Sequence, residues 1–335
     1  MDRTVTAPPT TWVGIDVSKE TLDACLLPAP GGKARERAFA NDPAGHAALA
    51  AWADECSAGT AVGFCLESTG AYGEALATAL ADAGRHVAVV NPARVKYAGL
   101  MRGQGNKTDR ADARHIAEYA QRERPPAWQP PRAEVRELQA LSRRRDDLRR
   151  LAAGEKTRLA APGLTAAVRT SLDRVVAFLE KEAGRLQDQA DAVVATDEHL
   201  RASRELLRTI PGVGPVAANA ILAELPDPAR FATAQQAAAY AGLAPREYRS
   251  GTSVKKRTRL SKAGNARLRK ALDLPAMTAV RFNPLVAAFY DRLVAAGKPK
   301  MAALGACMRK LLMIAYGVLK SRTAFDPTRA SKMTP

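Results

Sequence analysis

The chemistry in this sequence is concentrated in four carboxylates. Asp16 lies near the end of the apolar run Trp12-Val13-Gly14-Ile15-Asp16-Val17, and Glu67 ends Val62-Gly63-Phe64-Cys65-Leu66-Glu67. Both runs have strand character, so each acid projects from the edge of a sheet. Asp109 and Asp112 stand three residues apart in Lys107-Thr108-Asp109-Arg110-Ala111-Asp112. That stretch begins a helix-like pattern, and the spacing puts both carboxylates on one helical face. Carboxylates collected in this way repel one another unless a hard cation sits among them. Oxygen-only ligands suit Mg2+ or Mn2+, and such sites carry out phosphoryl transfer. Each acid alone has a structural reading as well: a turn cap for Asp16, an arginine partner for Glu67, a helix-start acid for Asp109. Lys107 and Arg110, beside the pair, either hold phosphate or partner the carboxylates.

A second concentration is one of charge. Residues 1–200 are balanced, so the formal net charge of +17 lies within residues 201–335, which hold 24 Lys and Arg against 7 Asp and Glu. A cationic segment of this size in a folded chain points to nucleic acid, with salt-sensitive binding to phosphates. The densest stretch, Arg246–Lys270, has ten basic residues against Glu247 alone, among them Arg246, Arg249, Lys255, Lys256, Arg257, Arg259, Lys262 and Arg267. Within it Tyr248-Arg249-Ser250-Gly251-Thr252-Ser253 reads as a loop with four hydroxyls, on Tyr248, Ser250, Thr252 and Ser253. A serine there is ordinarily structural unless a metal or cationic cluster activates it. Upstream, Ile210-Pro211-Gly212-Val213-Gly214 lies between two apolar helical stretches, the pattern of a helix–hairpin–helix. Gly212 and Gly214 permit the turn, and the next helix N-terminus offers backbone N–H groups to a phosphate.

Several other chemistries are excluded or disfavoured. Gly103-Gln104-Gly105-Asn106-Lys107-Thr108 lacks the spacing of a nucleotide-binding loop. Cys25, Cys56, Cys65 and Cys307 form no close pair, which fits a reducing cytoplasm. His46, His86, His115 and His199 are scattered, and His115 reads as a helix-surface residue or one supporting the acids. Met1–Thr11 lacks the apolar core of a signal peptide. The run Leu311–Leu319 is too short to span a bilayer.

The elements that must position these residues follow from the pattern. With 335 residues and 47% hydrophobic content the chain supports two or three domains with real cores. Strands are expected at 12–17, 21–27, 34–40, 62–67 and 86–91, with helices over 43–56 and 72–83 and from Pro92. Three early strands followed by strand–helix alternation match a ribonuclease-H-like core, whose acids sit on the first and fourth strands and a late helix. Four prolines within 124–131 mark a linker. Residues 132–200 read as an amphipathic, coiled-coil-like helical pair with a break near Ala161-Pro162-Gly163, which either pairs with another subunit or packs only on its own chain. The last third reads as helical apart from the basic loop, with one long helix from Gly264 to Arg281 and two more over 284–296 and 299–320. The expected domains are therefore 11–124, 132–200 and 201–325.

These motifs, taken in order, resemble the DEDD transposases of the IS110 insertion-sequence family over almost the full chain. The resemblance rests on Gly14-Ile15-Asp16-Val17-Ser18-Lys19, Glu67-Ser68-Thr69-Gly70 and Lys107 to Ala113 in the first half. In the second half it rests on Ile210 to Gly214, Tyr240-Ala241-Gly242-Leu243, Ser250-Gly251 and Lys262-Ala263-Gly264-Asn265. It implies a RuvC-like α/β domain, a helical connector and a mostly helical transposase domain with a nucleophilic serine. Carried onto this sequence, the DEDD set is Asp16, Glu67, Asp109 and Asp112, and the serine is Ser250. The resemblance also implies DNA partners (element ends and target), a structured guide RNA and a homo-oligomer, dimer or tetramer. A metal-dependent Holliday-junction-type nuclease using water and a non-catalytic nucleic-acid-binding protein are the alternatives.

Overall fold

The structure, a computed structural model, describes residues 9–28, 33–57, 59–68, 71–101, 109–250 and 254–330; at 71, 109, 110, 247–250, 254–257, 329 and 330 only the backbone is described. The chain divides into two compact units, Met1–Pro130 and Pro131–Pro335.

The first unit is a mixed α/β layer structure. Its sheet holds β1 (Thr11–Val17), β2 (Thr21–Leu27), β3 (Arg35–Ala40), β4 (Val62–Glu67) and β5 (His86–Val90) in the order β3-β2-β1-β4-β5. The first three strands form an antiparallel meander, whereas β4 runs parallel to β1 and β5 parallel to β4. Alternation along each strand divides the side chains between two cores. Val13, Ile15, Phe64 and Leu66 pack with Leu49 and Trp52 of α1 (Pro43–Cys56) and with Leu76 and Leu80 of α2 (Ala71–Asp82). Trp12, Cys65, Ala88 and Val90 pack on the other face, with Val95 of α3 (Pro92–Leu100) and Ile116, Tyr119 and Ala120 of α4 (Asp109–Glu123). Asp42 and Asn91 cap α1 and α3, and a proline stands in the first turn of each.

The second unit is mostly helical. α5 (Ala133–Leu159) and α6 (Ala166–Thr196) form a long antiparallel pair, followed by α7 (Glu198–Arg208), α8 (Pro215–Glu224) and α9 (Ala234–Tyr240). α10 (Ala266–Ala271), α11 (Asp273–Phe282), α12 (Pro284–Ala295) and α13 (Lys300–Ser321) complete the bundle. One hydrophobic core runs from Leu138 of α5 through Leu207, Ile221 and Leu268 to Leu311 and Leu319 of α13.

Three expectations for this unit need correction. The expected basic loop is in part strand: Tyr248–Ser250 end β6 (Pro245–Ser250), which pairs antiparallel with β7 (Val254–Leu260), while 251–253 lie outside the described residues. Charge density does not decide backbone conformation, and Tyr248, Val254 and Thr258 are strand formers. The expected helix from Gly264 to Arg281 is two helices that break at Leu272. Pro275 is the cause, because its ring would collide with the Ala271 carbonyl in a continuous helix. Finally, the apolar run at Leu311–Leu319 belongs to a helix of 22 residues, long and apolar enough to cross a membrane, of which 56% of the most apolar window is buried inside the unit. Its apolar character is explained by packing: Ala303, Cys307, Leu311 and Ala315 are all fully buried.

Candidate active site

Asp16 and Glu67 are neighbours in the sheet. The β1–β4 register pairs Ile15 with Leu66, and each acid is the next residue on its strand. Ile15 and Leu66 point into the α1/α2 core, so alternation turns Asp16 and Glu67 to the face that α4 covers. Both are half-buried. The turn beyond Asp16 is fixed: the Ser18 amide donates to Thr21 O at 2.9 Å, and Asn41 Nδ2 donates to Ser18 O at 2.8 Å.

Gly14 determines how α4 lies on this face. A Cβ added there would meet Ala113 O and Ala117 N, each at 2.2 Å, so the helix rests on the strand backbone itself. Ile116, Tyr119 and Ala120 pack with Trp12, at the start of β1. The helix is thus antiparallel to β1, and its first turn, with Asp109 and Asp112, lies toward the strand end that holds Asp16. Asp112 is half-buried, and His115 is a half-buried residue on the same helix. The side chains of Asp109 and Arg110 are not described, and Lys107 lies outside the described residues. Among the described residues, no three His, Cys, Asp or Glu side chains form a ready-made ligand cluster.

The donors on this face nonetheless fit a hard cation. Gly14 is flanked in register by Cys25 on β2 and Cys65 on β4. Burial, and then the Glu67 charge, push the Cys65 thiol up to about 12; burial, and then Glu36, push Cys25 to about 11. Both stay protonated at neutral pH, so neither thiol competes with the carboxylate oxygens as a ligand. Sequence reading missed one further acid: Asp23 is the direct partner of Asp16 across β1 and β2. It lines a shallow cleft with Glu36, Arg37 and Ala113. The tight Ser18–Glu20 connection fixes that register, so the pairing was open to inference from the sequence.

In the second unit Ser250 is the last residue of β6 and pairs with Val254. The same ladder sets Arg249 against Lys255, Tyr248 against Lys256 and Arg246 against Arg259. Arg246 and Arg259 are both exposed, as are Lys262 and Arg267. Like charges directly opposite in a sheet are destabilising, so this row is built at a cost. Only the backbone is described at Arg249, Ser250, Lys255, Lys256 and Arg257, and Ser253 lies outside the described residues.

The base of this strand pair is clasped by two glycine-bearing segments. Gly264, at φ +143°, lies so close to the 240–242 turn that a Cβ would be 2.3 Å from Tyr240 O and 2.6 Å from Gly242 N. The Ser261 amide donates to Ala244 O, the Lys262 amide to Gly242 O and the Asn265 amide to Tyr240 O. Asn265 Oδ1 caps α10 by accepting from the Arg267 and Leu268 amides. Its Nδ2 donates to Glu224 Oε2 at 2.9 Å. Glu224 is only 5% exposed, and Arg143 of α5 donates Nε to Oε1 at 2.7 Å and Nη2 to Oε2 at 3.2 Å. A buried carboxylate therefore ties α5, α8 and the clasp together. Sequence reading did not identify Arg143 or Glu224, because nothing local pairs them.

Gly212 has φ +102°, and a Cβ there would come within 2.7 Å of the Ala279 Cβ, so the turn packs directly on α11. Gly214 is exposed and begins α8 without a side-chain cap.

Residues 13–162 match the transposase family model DEDD_Tnp_IS110, and residues 204–291 match the one described as transposase IS116/IS110/IS902 family. The pilin gene-inverting protein of Moraxella lacunata is 33% identical over 94% of this chain and 98% of that protein. The IS900 insertion element 42 kDa protein of Mycobacterium paratuberculosis is 26% identical over 94% of this chain and 97% of its own length. The IS110 insertion element 43.6 kDa protein of Streptomyces coelicolor is 31% identical over 47% of this chain and 39% of its own length.

Proposed function

Starting from the chain's membership of the IS110 family of transposases, we propose that it cuts and rejoins DNA strands of an insertion sequence through a phosphoserine–DNA intermediate. The observation that carries the acidic half of this reading is the adjacency of Asp16 and Glu67 on the face covered by α4. The strand order β3-β2-β1-β4-β5, with its meander and parallel β1, β4 and β5, supports a ribonuclease-H-like, RuvC-like domain. Asp16, Glu67, Asp109 and Asp112 would hold Mg2+ or Mn2+, whose charge polarises a phosphate and steadies a leaving oxygen.

Ser250 is the proposed nucleophile. Its Oγ bonds to a backbone phosphorus while the bond from phosphorus to a deoxyribose oxygen breaks, leaving an ester on serine and a hydroxyl on the released strand. The ester keeps the phosphodiester energy, so a second strand hydroxyl can displace the serine without an external energy source. The neighbouring basic residues on β6 and β7 neutralise the phosphate. The name of the Moraxella relative, a protein that inverts a gene, favours rejoining over cleavage alone. Lys107, Arg110, Gly212, Gly214 and the basic row would contact nucleic acid. A structured guide RNA and assembly as a dimer or tetramer in the cytoplasm complete the proposal.

The test is a denaturing gel of purified protein with element DNA, flanking RNA and Mg2+. Label that stays with the protein and is lost with Ser250→Ala supports the reading. Cleavage without any adduct would make water the nucleophile and the protein a nuclease.

A further inference from the structure

The cations of the second unit are disposed in two different ways. Along α5 to α8 several are paired, among them Arg132 with Asp197, Arg143 with Glu224, Arg145 with Asp146 and Arg204 with Asp191. From Pro284 to Lys320 the sequence holds six Lys and Arg against Asp291 alone. Two of these cations converge on one aromatic ring. The Arg292 guanidinium carbon on α12 lies 5.4 Å from the Phe289 centroid, and the Lys310 ammonium on α13 lies 4.9 Å from it. Phe289 packs against the core, so the ring is held in place. Neither cation pairs with a carboxylate among the described residues. The Lys310 amine is pushed below its usual range by burial and then by the Arg292 charge.

Two like charges brought to one ring oppose each other, while the ring attracts each of them. An anion that meets both cations would relieve the repulsion. Arg292 offers a planar fork of donors and Lys310 a point charge, the pair of donors that suits a phosphate oxygen set. We propose that Arg292 and Lys310, seated on Phe289, form a binding site for a backbone phosphate of nucleic acid, on elements other than the basic strand pair. This inference rests on the nucleic-acid side of the proposed function and needs neither Ser250 nor the carboxylates. DNA and RNA share the phosphodiester, and the experiment separates them.

The full-length protein bearing Ser250→Ala is used, so catalysis plays no part. Binding of a labelled duplex DNA and of a labelled single-stranded RNA is measured over a salt series, for Arg292→Gln and for Lys310→Met. Loss of one phosphate contact lowers the salt slope by about 0.9 on duplex and about 0.7 on single strands. The expected result is that fall in both variants, with the melting temperature of free Lys310→Met unchanged or raised, because a repelled cation has gone. A slope lowered on one nucleic acid alone assigns the site to that one. Unchanged slopes on both nucleic acids overturn the proposal, and a lower melting temperature alongside them would show that the cations serve only the packing of Phe289. Arg292 is exposed, so its replacement keeps the test valid even if Lys310→Met folds poorly.

Discussion

Asp16 and Asp23 stand directly opposite each other across β1 and β2, two carboxylates on the sheet face that α4 covers. Like charges in this position destabilise a sheet by about 0.2–1 kcal/mol. Asp23→Asn removes one of them and keeps the shape. In EDTA the variant is expected to melt slightly above the wild type. In Mg2+ the difference should shrink, because a cation near Asp16 relieves the repulsion in the wild type. A variant that melts lower in EDTA would mean that the Asp23 carboxylate makes a bond that the fold requires.

Gly14 offers a sharper test of what holds the acids together. A methyl group there would fall 2.2 Å from backbone atoms of both Ala113 and Ala117, and backbone cannot swing aside as a side chain can. Gly14→Ala is expected to lower stability by about 1–3 kcal/mol in urea, the usual range for overpacking. It should also abolish Mg2+-dependent cleavage, since α4 brings Asp112 to the sheet. Wild-type stability and activity would mean that α4 does not rest on Gly14.

Much of the first unit was legible because its signals are local. The short apolar runs over Thr21–Leu27 and Val62–Glu67, with Pro43 and Pro92 opening helices, predict elements at the positions where they occur. The fate of the basic stretch was not legible, since ten cations conceal the strand propensity of Tyr248, Val254 and Thr258. Nor was the break at Leu272, which depends on reading Pro275 against a carbonyl four residues earlier. The Glu224 network joins residues 81 and 41 positions apart in sequence, and no periodicity reports such pairs. The glycines of the clasp could be read as motif residues but not as partners: Gly242 and Gly264 have meaning only once their backbones touch.

Asn265 performs two tasks, and a single substitution separates them. Aspartate also caps helices, so Asn265→Asp keeps the α10 cap while removing the amide donor to Glu224 and opposing it with a second carboxylate. The expected loss is about 1–3 kcal/mol, the cost of disturbing a buried hydrogen-bonded charge. Adding Glu224→Gln restores a donor facing an acceptor and leaves Arg143 one carboxylate to meet. The double variant should recover much of the stability and the hydrogen-exchange protection of β6 and β7. If the two single losses simply add, the residues are uncoupled and the clasp is held in another way.

The mechanism stands or falls on the oxygen of Ser250. A structural serine at the end of a strand, away from a packed core, should tolerate alanine within about 0.5 kcal/mol. A serine that becomes esterified to DNA cannot lose its hydroxyl and still form the adduct. Ser250→Ala is therefore expected to fold, to bind DNA and RNA with an unchanged salt slope, and to form no covalent complex and no recombinant product. Ser250→Cys should keep a trace of adduct, because a thiol is a competent nucleophile in a site suited to a smaller atom. Tyr248→Phe, Thr252→Val and Ser253→Ala remove the three other nearby hydroxyls and should leave the adduct intact. An adduct that survives Ser250→Ala but vanishes with Tyr248→Phe moves the chemistry to the phenol, one residue from Arg249 and paired with Lys256. If all four variants cleave at the wild-type rate, none of these hydroxyls attacks phosphorus and water does so instead.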